Sequence, residues 1–403
     1  MRIGRSRTGR APLVLVGMFV ALIALLTSCT QKPSYSSNVL SSALLDDMLA
    51  PAVAVTEWAD RPLADNAVGV QPGAPITVRS SEGSITNVRI RKLDGTHIQG
   101  RLSDDGTTWT SAEPLGYNRQ YVLEADAAGV GGTSTKRVAF TTSAPNNLTQ
   151  AYLTPSPRET VGVGQPVAVK FDEPIGNRQA AQDAIRITTD PPVAGAFYWI
   201  SDSEVRWRPE HFWNPGTRVS VAVNTYGIDL GDGLFGQQNV ATDFTVGRSM
   251  VITADDRTKQ VSVDRGGQII RTMPTSMGKP GTETDNGVYL VADKHDNIIM
   301  DSSTYGVPVS SADGYRTPVD YATRMSYSGI FFHSAPWSVW AQGNTNTSHG
   351  CLNLSPDDAL WVMRNTLRGD PVVVKNTAGG TLSGVDGLGD WNIPWSQWSK
   401  GNA

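Results

Sequence analysis

Cysteine is scarce in this sequence, since Cys29 and Cys351 are the only two among 403 residues. A disulfide framework of the kind that holds small secreted domains together is therefore excluded. Cys29 directly follows an apolar N-terminal stretch, so if that stretch is an export signal, Cys351 has no disulfide partner in the exported chain. An unpaired exported thiol with histidines close by indicates nucleophilic catalysis.

An excess of positive charge is also absent. The chain has 34 Lys and Arg against 38 Asp and Glu, a formal charge of −4. The first 28 residues hold four arginines and no acidic residue, so without them 30 basic residues face 38 acidic ones and the formal charge is near −8. Such a surface repels phosphate backbones, which argues against nucleic acid as a partner.

Long apolar runs are missing except over residues 11–26, behind the four arginines. This pattern predicts a signal peptide over residues 1–28. A transmembrane anchor is the alternative, but the run is shorter than the roughly 20 residues that span a bilayer. Leu26-Thr27-Ser28-Cys29 resembles a bacterial lipobox, which implies lipid on the Cys29 sulfur and a place on the outer face of the cytoplasmic membrane. Residues 29–55 are largely polar and predict a tether.

What the sequence does contain is short alternating strands with many turn residues, 40 Gly and 24 Pro. Similar strand patterns occur twice at offsets of about 100 residues, each unit with a tryptophan, Trp109 or Trp207, ahead of a turn and an alternating strand. We therefore predict a mainly β protein with two tandem immunoglobulin-like sandwiches, residues 56–145 and 146–248. Neither unit has clustered ligand-type residues, which favours a spacer role.

A different pattern begins at Ser249. Residues 249–376 predict a β-rich third domain with one or two helices, one of them beginning at the N-cap Ser355 and ending at Gly369. Residues 301–328 predict a long irregular segment, and such segments are usually functional. The tryptophan-rich residues 377–403 predict an extension that packs back on this domain.

The candidate chemistry lies in Ser348-His349-Gly350-Cys351, with His333 upstream. A catalytic thiol needs a base, and either histidine could supply it; Gly350 would let the amides of Gly350 and Cys351 form an oxyanion hole. Two alternatives remain open from the residues alone. Cys351 could be a buried structural thiol, or Cys351, His349 and His333 could bind zinc, although no fourth ligand is evident.

These motifs resemble the L,D-transpeptidases with a YkuD-type catalytic domain, and the tandem sandwiches and Trp-rich tail resemble the mycobacterial members. One departure is Thr282-Glu283-Thr284-Asp285-Asn286-Gly287, where many members have a Thr-Pro-x-Gly turn. The resemblance implies a cysteine thioester enzyme without cofactor or metal, which releases D-alanine from a tetrapeptide stem and forms 3→3 peptidoglycan cross-links. Stem peptides would be donor and acceptor, and carbapenems would acylate the enzyme.

By the same resemblance, each site residue has an implied role. Cys351 would be the nucleophile and His333 the base, oriented by the Ser334 carbonyl. Tyr315 and the amides around His349, Gly350 and Cys351 would stabilise the oxyanion. The substrate-binding set would be Met300, Tyr305, Tyr315, Trp337, Ser348 and Asn353, with residues 301–328 as a lid. Two other functions stay open: an L,D-carboxypeptidase that hydrolyses the same thioester, and a wall-binding lipoprotein without catalysis.

Overall fold

The computed structural model describes residues 49–312 and 314–403. The predicted signal peptide, Cys29 and most of the predicted tether lie outside the described residues. Within the described residues, no helix is both long and apolar enough to cross a membrane.

The described chain is built mainly of strands, which confirms the predicted fold class. The strands are β1 (Ala52–Thr56), β2 (Ala67–Val70), β3 (Thr77–Ser81), β4 (Ser84–Lys92), β5 (His97–Ile98), β6 (Gly100–Leu102), β7 (Thr108–Ser111), β8 (Gln120–Gly129), β9 (Gly132–Thr142), β10 (Asn147–Thr149), β11 (Ala151–Thr154), β12 (Glu159–Val161), β13 (Val167–Phe171), β14 (Ile185–Asp190), β15 (Gly195–Trp199), β16 (Glu204–Pro209), β17 (Arg218–Val223), β18 (Leu234–Gly236), β19 (Val240–Val246), β20 (Met250–Asp255), β21 (Gln260–Arg265), β22 (Gln268–Pro274), β23 (Gly287–Leu290), β24 (Lys294–Asp301), β25 (Arg316–Arg324), β26 (Phe331–Ser334), β27 (Leu352–Leu354) and β28 (Pro371–Lys375). The helices are α1 (Arg178–Asp183), α2 (Pro356–Asn365) and α3 (Trp395–Trp398), with short 3-10 helices at Trp58–Asp60, Ser302–Tyr305, Pro336–Ser338 and Asp390–Asn392.

Two sandwiches with matching topology form the first part of the described chain. The first packs the sheet β1-β3-β7-β6 on β2-β9-β8-β4-β5, and the second packs β11-β13-β16-β15 on β12-β19-β17-β14. Trp109 and Trp207 are buried in the two cores, and a Cβ on the facing glycine, Gly100 or Gly195, would overlap the indole ring. The repeat read from the sequence is therefore a structural repeat. Because β1 pairs with β3, residues 52–55 belong to the first sandwich and not to the predicted tether.

The third domain has two sheets, β22-β21-β20-β28-β23 and β24-β25-β26-β27, with α2 packed against β25 and β26. The core between them is apolar because alternate residues of β20 and β21 point inward, Ile252 and Val261 among them. Its residues are fully buried, which gives the second sheet a rigid support.

Two details of this domain differ from the sequence-based predictions. Helix α2 begins as predicted, with the Ser355 hydroxyl accepting the Asp358 amide, but it ends at Asn365 instead of Gly369 because Thr366 has already left the helical conformation. The predicted irregular segment 301–328 contains β25, paired antiparallel with β24. The strand was missed because its polar residues and Pro318 obscure the alternation.

The C-terminal extension packs on two surfaces. The Asn392 side-chain oxygen accepts a hydrogen bond from the Val288 amide of the third domain at 2.8 Å. This contact agrees with the prediction that the extension packs on that domain. The indole of Trp398 donates to the Ala196 carbonyl of the second sandwich at 2.9 Å, and the Arg208 guanidinium lies 4.3 Å from the centre of the same ring. The tail thus also covers the second sandwich, a contact that the sequence pattern does not indicate.

Candidate active site

A parallel pair of short strands brings the candidate base and nucleophile together. In the β26–β27 ladder, Phe332 is paired with Leu352 and His333 with Asn353. Continued by one step, this register places Cys351 opposite Phe331, two residues from His333 on the same face of β26. Both side chains are buried, so the reacting atoms would meet away from bulk water.

The tautomer of His333 follows from its hydrogen bond. Nδ1 lies 3.0 Å from the carbonyl oxygen of Ser334, and because a carbonyl can only accept, Nδ1 carries the proton. Nε2 is then the basic nitrogen. Burial lowers the pKa of His333 below its ordinary value, and the bond to Ser334 opposes that shift. The imidazole is therefore neutral at pH 7 and able to accept a proton.

The Cys351 thiol is protonated at rest. Burial raises its pKa to about 11, opposed by an interaction with the Phe331 amide. Its sulfur lies 3.5 Å from the Gly329 carbonyl oxygen, which can accept the S–H hydrogen. A neutral thiol beside a neutral imidazole requires proton transfer during attack, as in general-base catalysis.

Ser348 stabilises the turn of residues 348–351, here called the nucleophile turn. The Ser348 hydroxyl donates to the Cys351 carbonyl at 2.6 Å and accepts the Gly350 amide at 3.1 Å. Gly350 has a φ of +118°, and a Cβ there would lie 2.8 Å from Cδ1 of Ile330. The expectation that the Gly350 amide points into an oxyanion hole is wrong in this conformation, because that amide already donates to Ser348.

Thr284, which the sequence pattern does not indicate as a site residue, supports the nucleophile turn by hydrogen bonds. The buried Thr284 hydroxyl donates to the Gly350 carbonyl at 2.7 Å and accepts the Gly278 amide at 3.0 Å. Thr282 donates to the Ser348 carbonyl at 3.2 Å. Both belong to the segment that departs from the Thr-Pro-x-Gly pattern. The departure from that pattern was the only feature of the sequence that could have drawn attention to Thr284. Nothing in the neighbouring residues indicates a hydrogen bond to the Gly350 carbonyl, which lies 66 residues away in sequence.

His349 lies at the rim of the site and does not join a metal centre. Its ring is exposed and packs on Tyr315 with 5.1 Å between ring centres, and its Nε2 is 3.3 Å from Nζ of Lys279. Among the described residues, no group of three His, Cys, Asp or Glu side chains could hold a metal ion. The zinc alternative is therefore wrong for this part of the chain.

Three of the predicted binding residues pack around the nucleophile. Met300 and Cys351 belong to one buried cluster, and Tyr305 and Tyr315 pack against it half-buried. Burial, together with the nearby Cys351 sulfur, raises the pKa of Tyr315 to about 12. Tyr315 therefore keeps its phenolic proton at pH 7 and can donate a hydrogen bond.

Of the other three predicted binding residues, Ser348 lies in the nucleophile turn and two lie on the His333 side. The Trp337 ring is stacked near His333, with 6.2 Å between ring centres, and is exposed. Asn353 is buried, and its amide donates to the Ser338 hydroxyl at 3.1 Å. In this structure the Asn353 side chain thus holds the short helix Pro336–Ser338 beside His333 and does not line an open pocket.

Comparisons with known proteins agree with this architecture. The family model of the bacterial Ig domain matches residues 67–229, and that of the L,D-transpeptidase catalytic domain, YkuD, matches residues 249–374. The chain is 52% identical over 402 residues to L,D-transpeptidase 2 of Mycobacterium tuberculosis (strain CDC 1551 / Oshkosh), covering 99% of this chain and 97% of that protein.

Two further similarities extend this comparison. L,D-transpeptidase 5 of M. tuberculosis (strain ATCC 25618 / H37Rv) is 34% identical over 345 residues, covering 83% of this chain and 74% of that protein. A solved structure of LD transpeptidase LdtMt1 in complex with imipenem is 39% identical, covers 56% of this chain and 98% of that one, and has a TM-score of 0.49.

Proposed function

This chain belongs to the L,D-transpeptidases with a YkuD catalytic domain, and from that membership we propose a cysteine thioester mechanism that forms 3→3 peptidoglycan cross-links. The observation that carries the proposal is the β26–β27 pair, which brings Cys351 close to a buried histidine with its tautomer determined by Ser334. The substrates are two stem peptides, one as acyl donor and one as amine acceptor.

In the first half-reaction, Cys351 attacks the carbonyl carbon of the third stem residue while its thiol proton passes to Nε2 of His333. The tetrahedral oxyanion is stabilised by the Tyr315 hydroxyl and by backbone amides of the nucleophile turn other than that of Gly350. The C–N bond then breaks, and His333 returns the proton to the departing nitrogen. D-Alanine leaves as the amine, and the acyl group remains on sulfur as a thioester.

In the second half-reaction, the side-chain amine of the third residue of another stem attacks the thioester. His333 accepts a proton from that amine and returns it to the sulfur as the C–S bond breaks. One amide is exchanged for another through the thioester, so no ATP is consumed. Tyr305 and Tyr315 pack half-buried against the cluster that contains Cys351, and in this proposal their rings limit the access of water to the thioester.

Carbapenems are included in this proposal. Attack of the same sulfur on the β-lactam carbonyl opens the ring and leaves the drug on Cys351 as a covalent adduct. Intact mass spectrometry after meropenem treatment should show one adduct on the protein and none on Cys351→Ala. An unmodified wild-type protein would contradict the assigned nucleophile.

The decisive assay incubates the protein with a tetrapeptide stem and separates cross-linked dimer from trimmed monomer. We expect dimer and free D-alanine from the wild type, and a loss of both with Cys351→Ala. Trimmed monomer alone would identify an L,D-carboxypeptidase. Wall binding without any turnover, unaltered in Cys351→Ala, would identify a non-catalytic lipoprotein.

We also propose that the protein is anchored to the outer face of the cytoplasmic membrane by lipid on Cys29, on the strength of the Leu26-Thr27-Ser28-Cys29 motif. The negative formal charge without the first 28 residues agrees with a protein that does not bind nucleic acid. Radiolabelled palmitate should be incorporated in cells that express the wild type and lost with Cys29→Ala. Labelling that survives this substitution would refute the anchor.

A further inference from the structure

An uncharged aromatic surface adjoins the proposed base. Residues 336–340, here called the Trp turn, begin one residue beyond the end of β26. They expose three apolar side chains, Trp337 at 53%, Val339 at 48% and Trp340 at 70%. Single exposed apolar residues are common, but a cluster with two indole rings on one short turn is characteristic of a binding surface.

The backbone of the Trp turn is held in place. The Ser338 amide donates to the Ala335 carbonyl at 3.1 Å, and the Ala341 amide donates to the Ser338 carbonyl at 2.9 Å. These bonds fold residues 335–341 into two successive turns. Side chains three positions apart lie on one side of such a turn, from which we infer that Trp337 and Trp340 face the same way, about 6 Å apart. Asn353 of β27 binds the Ser338 hydroxyl. The surface is therefore preformed, and binding a ligand there would cost little entropy for ordering the turn.

This surface is continuous with the site. The Trp337 ring stacks near His333, whereas Met300, Tyr305 and Tyr315 pack around Cys351. A substrate whose peptide reaches Cys351 would therefore place its neighbouring parts over the Trp turn.

The chemistry of the surface selects the occupant. Residues 325–356 contain no Asp, Glu, Lys or Arg, so the Trp turn and its neighbours along the chain bring no charged side chain of their own to pair with the carboxylates or amines of a stem peptide. Exposed Asn344 and Thr345 follow the two indoles and supply amide and hydroxyl groups. Flat aromatic faces beside neutral hydrogen-bonding groups suit a sugar ring, which has an apolar C–H face and a rim of hydroxyl and acetamido groups.

We propose that the Trp turn binds an N-acetylhexosamine ring of the glycan strand that carries the stem peptide. This inference rests on the proposed function for the identity of the substrate, whereas binding of the sugar does not require catalysis. It predicts that the enzyme distinguishes a stem attached to sugar from a free stem. Trp340 should be the main determinant because it is the more exposed of the two indoles.

The first test compares kcat/KM for a disaccharide-linked tetrapeptide and for the free tetrapeptide. The wild type should prefer the linked form, and Trp340→Ala should reduce the ratio of the two constants about tenfold, the loss expected for one aromatic stacking contact. Trp58→Ala is the matched control, since Trp58 is 52% exposed on the first sandwich, and should keep the wild-type ratio. A ratio near one in the wild type, or an equal ratio in Trp340→Ala, would overturn the proposal.

A second test works without catalysis. Saturation-transfer NMR with di-N-acetylchitobiose on Cys351→Ala should show binding that is lost when Trp340→Ala is added and retained when Trp58→Ala is added. Absence of turnover with both peptides would refute the proposed function alone, whereas absence of sugar binding would refute the Trp turn assignment. If Trp340→Ala converts a dimer to a monomer in light scattering, the surface binds a second copy and the proposal is wrong.

Discussion

Replacing Thr284 by valine should destabilise the third domain and displace the nucleophile turn. Valine has nearly the same shape but no hydroxyl, so it removes the bonds at 2.7 Å to the Gly350 carbonyl and at 3.0 Å from the Gly278 amide. Both backbone groups belong to buried residues, and Thr284 is itself 1% exposed. Water therefore cannot easily replace the hydroxyl.

The magnitude follows from the two groups left without partners. An unsatisfied buried donor or acceptor costs roughly 1–3 kcal/mol, so the pair should lower the free energy of unfolding by roughly 2–6 kcal/mol. Thr284→Ser is the control, because it keeps the hydroxyl and loses one methyl group, worth about 1 kcal/mol. The two substitutions thus separate the hydrogen bonds from the packing.

Cys351 provides the assay. It is a buried free thiol whose pKa is raised to about 11. At pH 7 a short pulse of a thiol reagent should therefore label the folded domain slowly and the opened domain fast, so labelling at increasing urea reports opening of the third domain apart from the two sandwiches. Mass spectrometry of the Cys351 peptide measures the labelled fraction at each concentration. Thr284→Val should be labelled at clearly lower urea than Thr284→Ser, and its acylation by meropenem should be slower even where the domain is folded.

Two results would refute this reasoning. If Thr284→Val lies within about 0.5 kcal/mol of the wild type, the hydroxyl is not needed to satisfy the two backbone groups. If Thr284→Ser is as damaging as Thr284→Val, the methyl group and not the hydrogen bonds supports the nucleophile turn.

Three further predictions concern the site itself. Alkylation of native Cys351 by iodoacetamide should keep accelerating up to about pH 11, because burial raises the thiol pKa to about 11, whereas levelling near pH 8.5, as for a free cysteine, would contradict this. His333→Gln should reduce the rate of acylation by about 10²–10⁴-fold. Because burial lowers the pKa of His333, the wild-type kcat/KM should decline only below about pH 6.5, the ordinary pKa of histidine. A decline centred above that pH would count against His333 as the base. Gly350→Ala should reduce the rate of acylation, because φ at position 350 is +118° and the new Cβ would contact Cδ1 of Ile330. Adding Ile330→Val, which removes that Cδ1 atom, should partly restore the rate. Equal rates in Gly350→Ala and the wild type would exclude this strain.

The fold was predictable where the signal was local. Alternation of apolar residues predicted the sandwiches, and the twice-repeated pattern around Trp109 and Trp207 predicted their tandem arrangement. Ser355 predicted the start of α2, because the hydrogen bond between its hydroxyl and the Asp358 amide joins residues only three positions apart. The end of α2 and the strand β25 were not predicted, because tertiary packing outweighed weak propensities there.

For the site, sequence alone determined the residue types. A lone thiol, two histidines and a glycine at these spacings indicate a nucleophile with a base, whatever the surrounding fold. The family resemblance assigned the base to His333, and the hydrogen bond from Nδ1 to Ser334 agrees with that role.

What only the tertiary structure decided is how these residues are held and which groups remain available. The bond from Thr284 to the Gly350 carbonyl joins positions 66 residues apart, and the neutral state of Cys351 and His333 comes from burial by several strands. The use of the Gly350 amide by Ser348 likewise depends on the folded turn. Spacing in a sequence specifies which groups are near along the chain, whereas burial and long-range hydrogen bonds arise from the packing of distant segments.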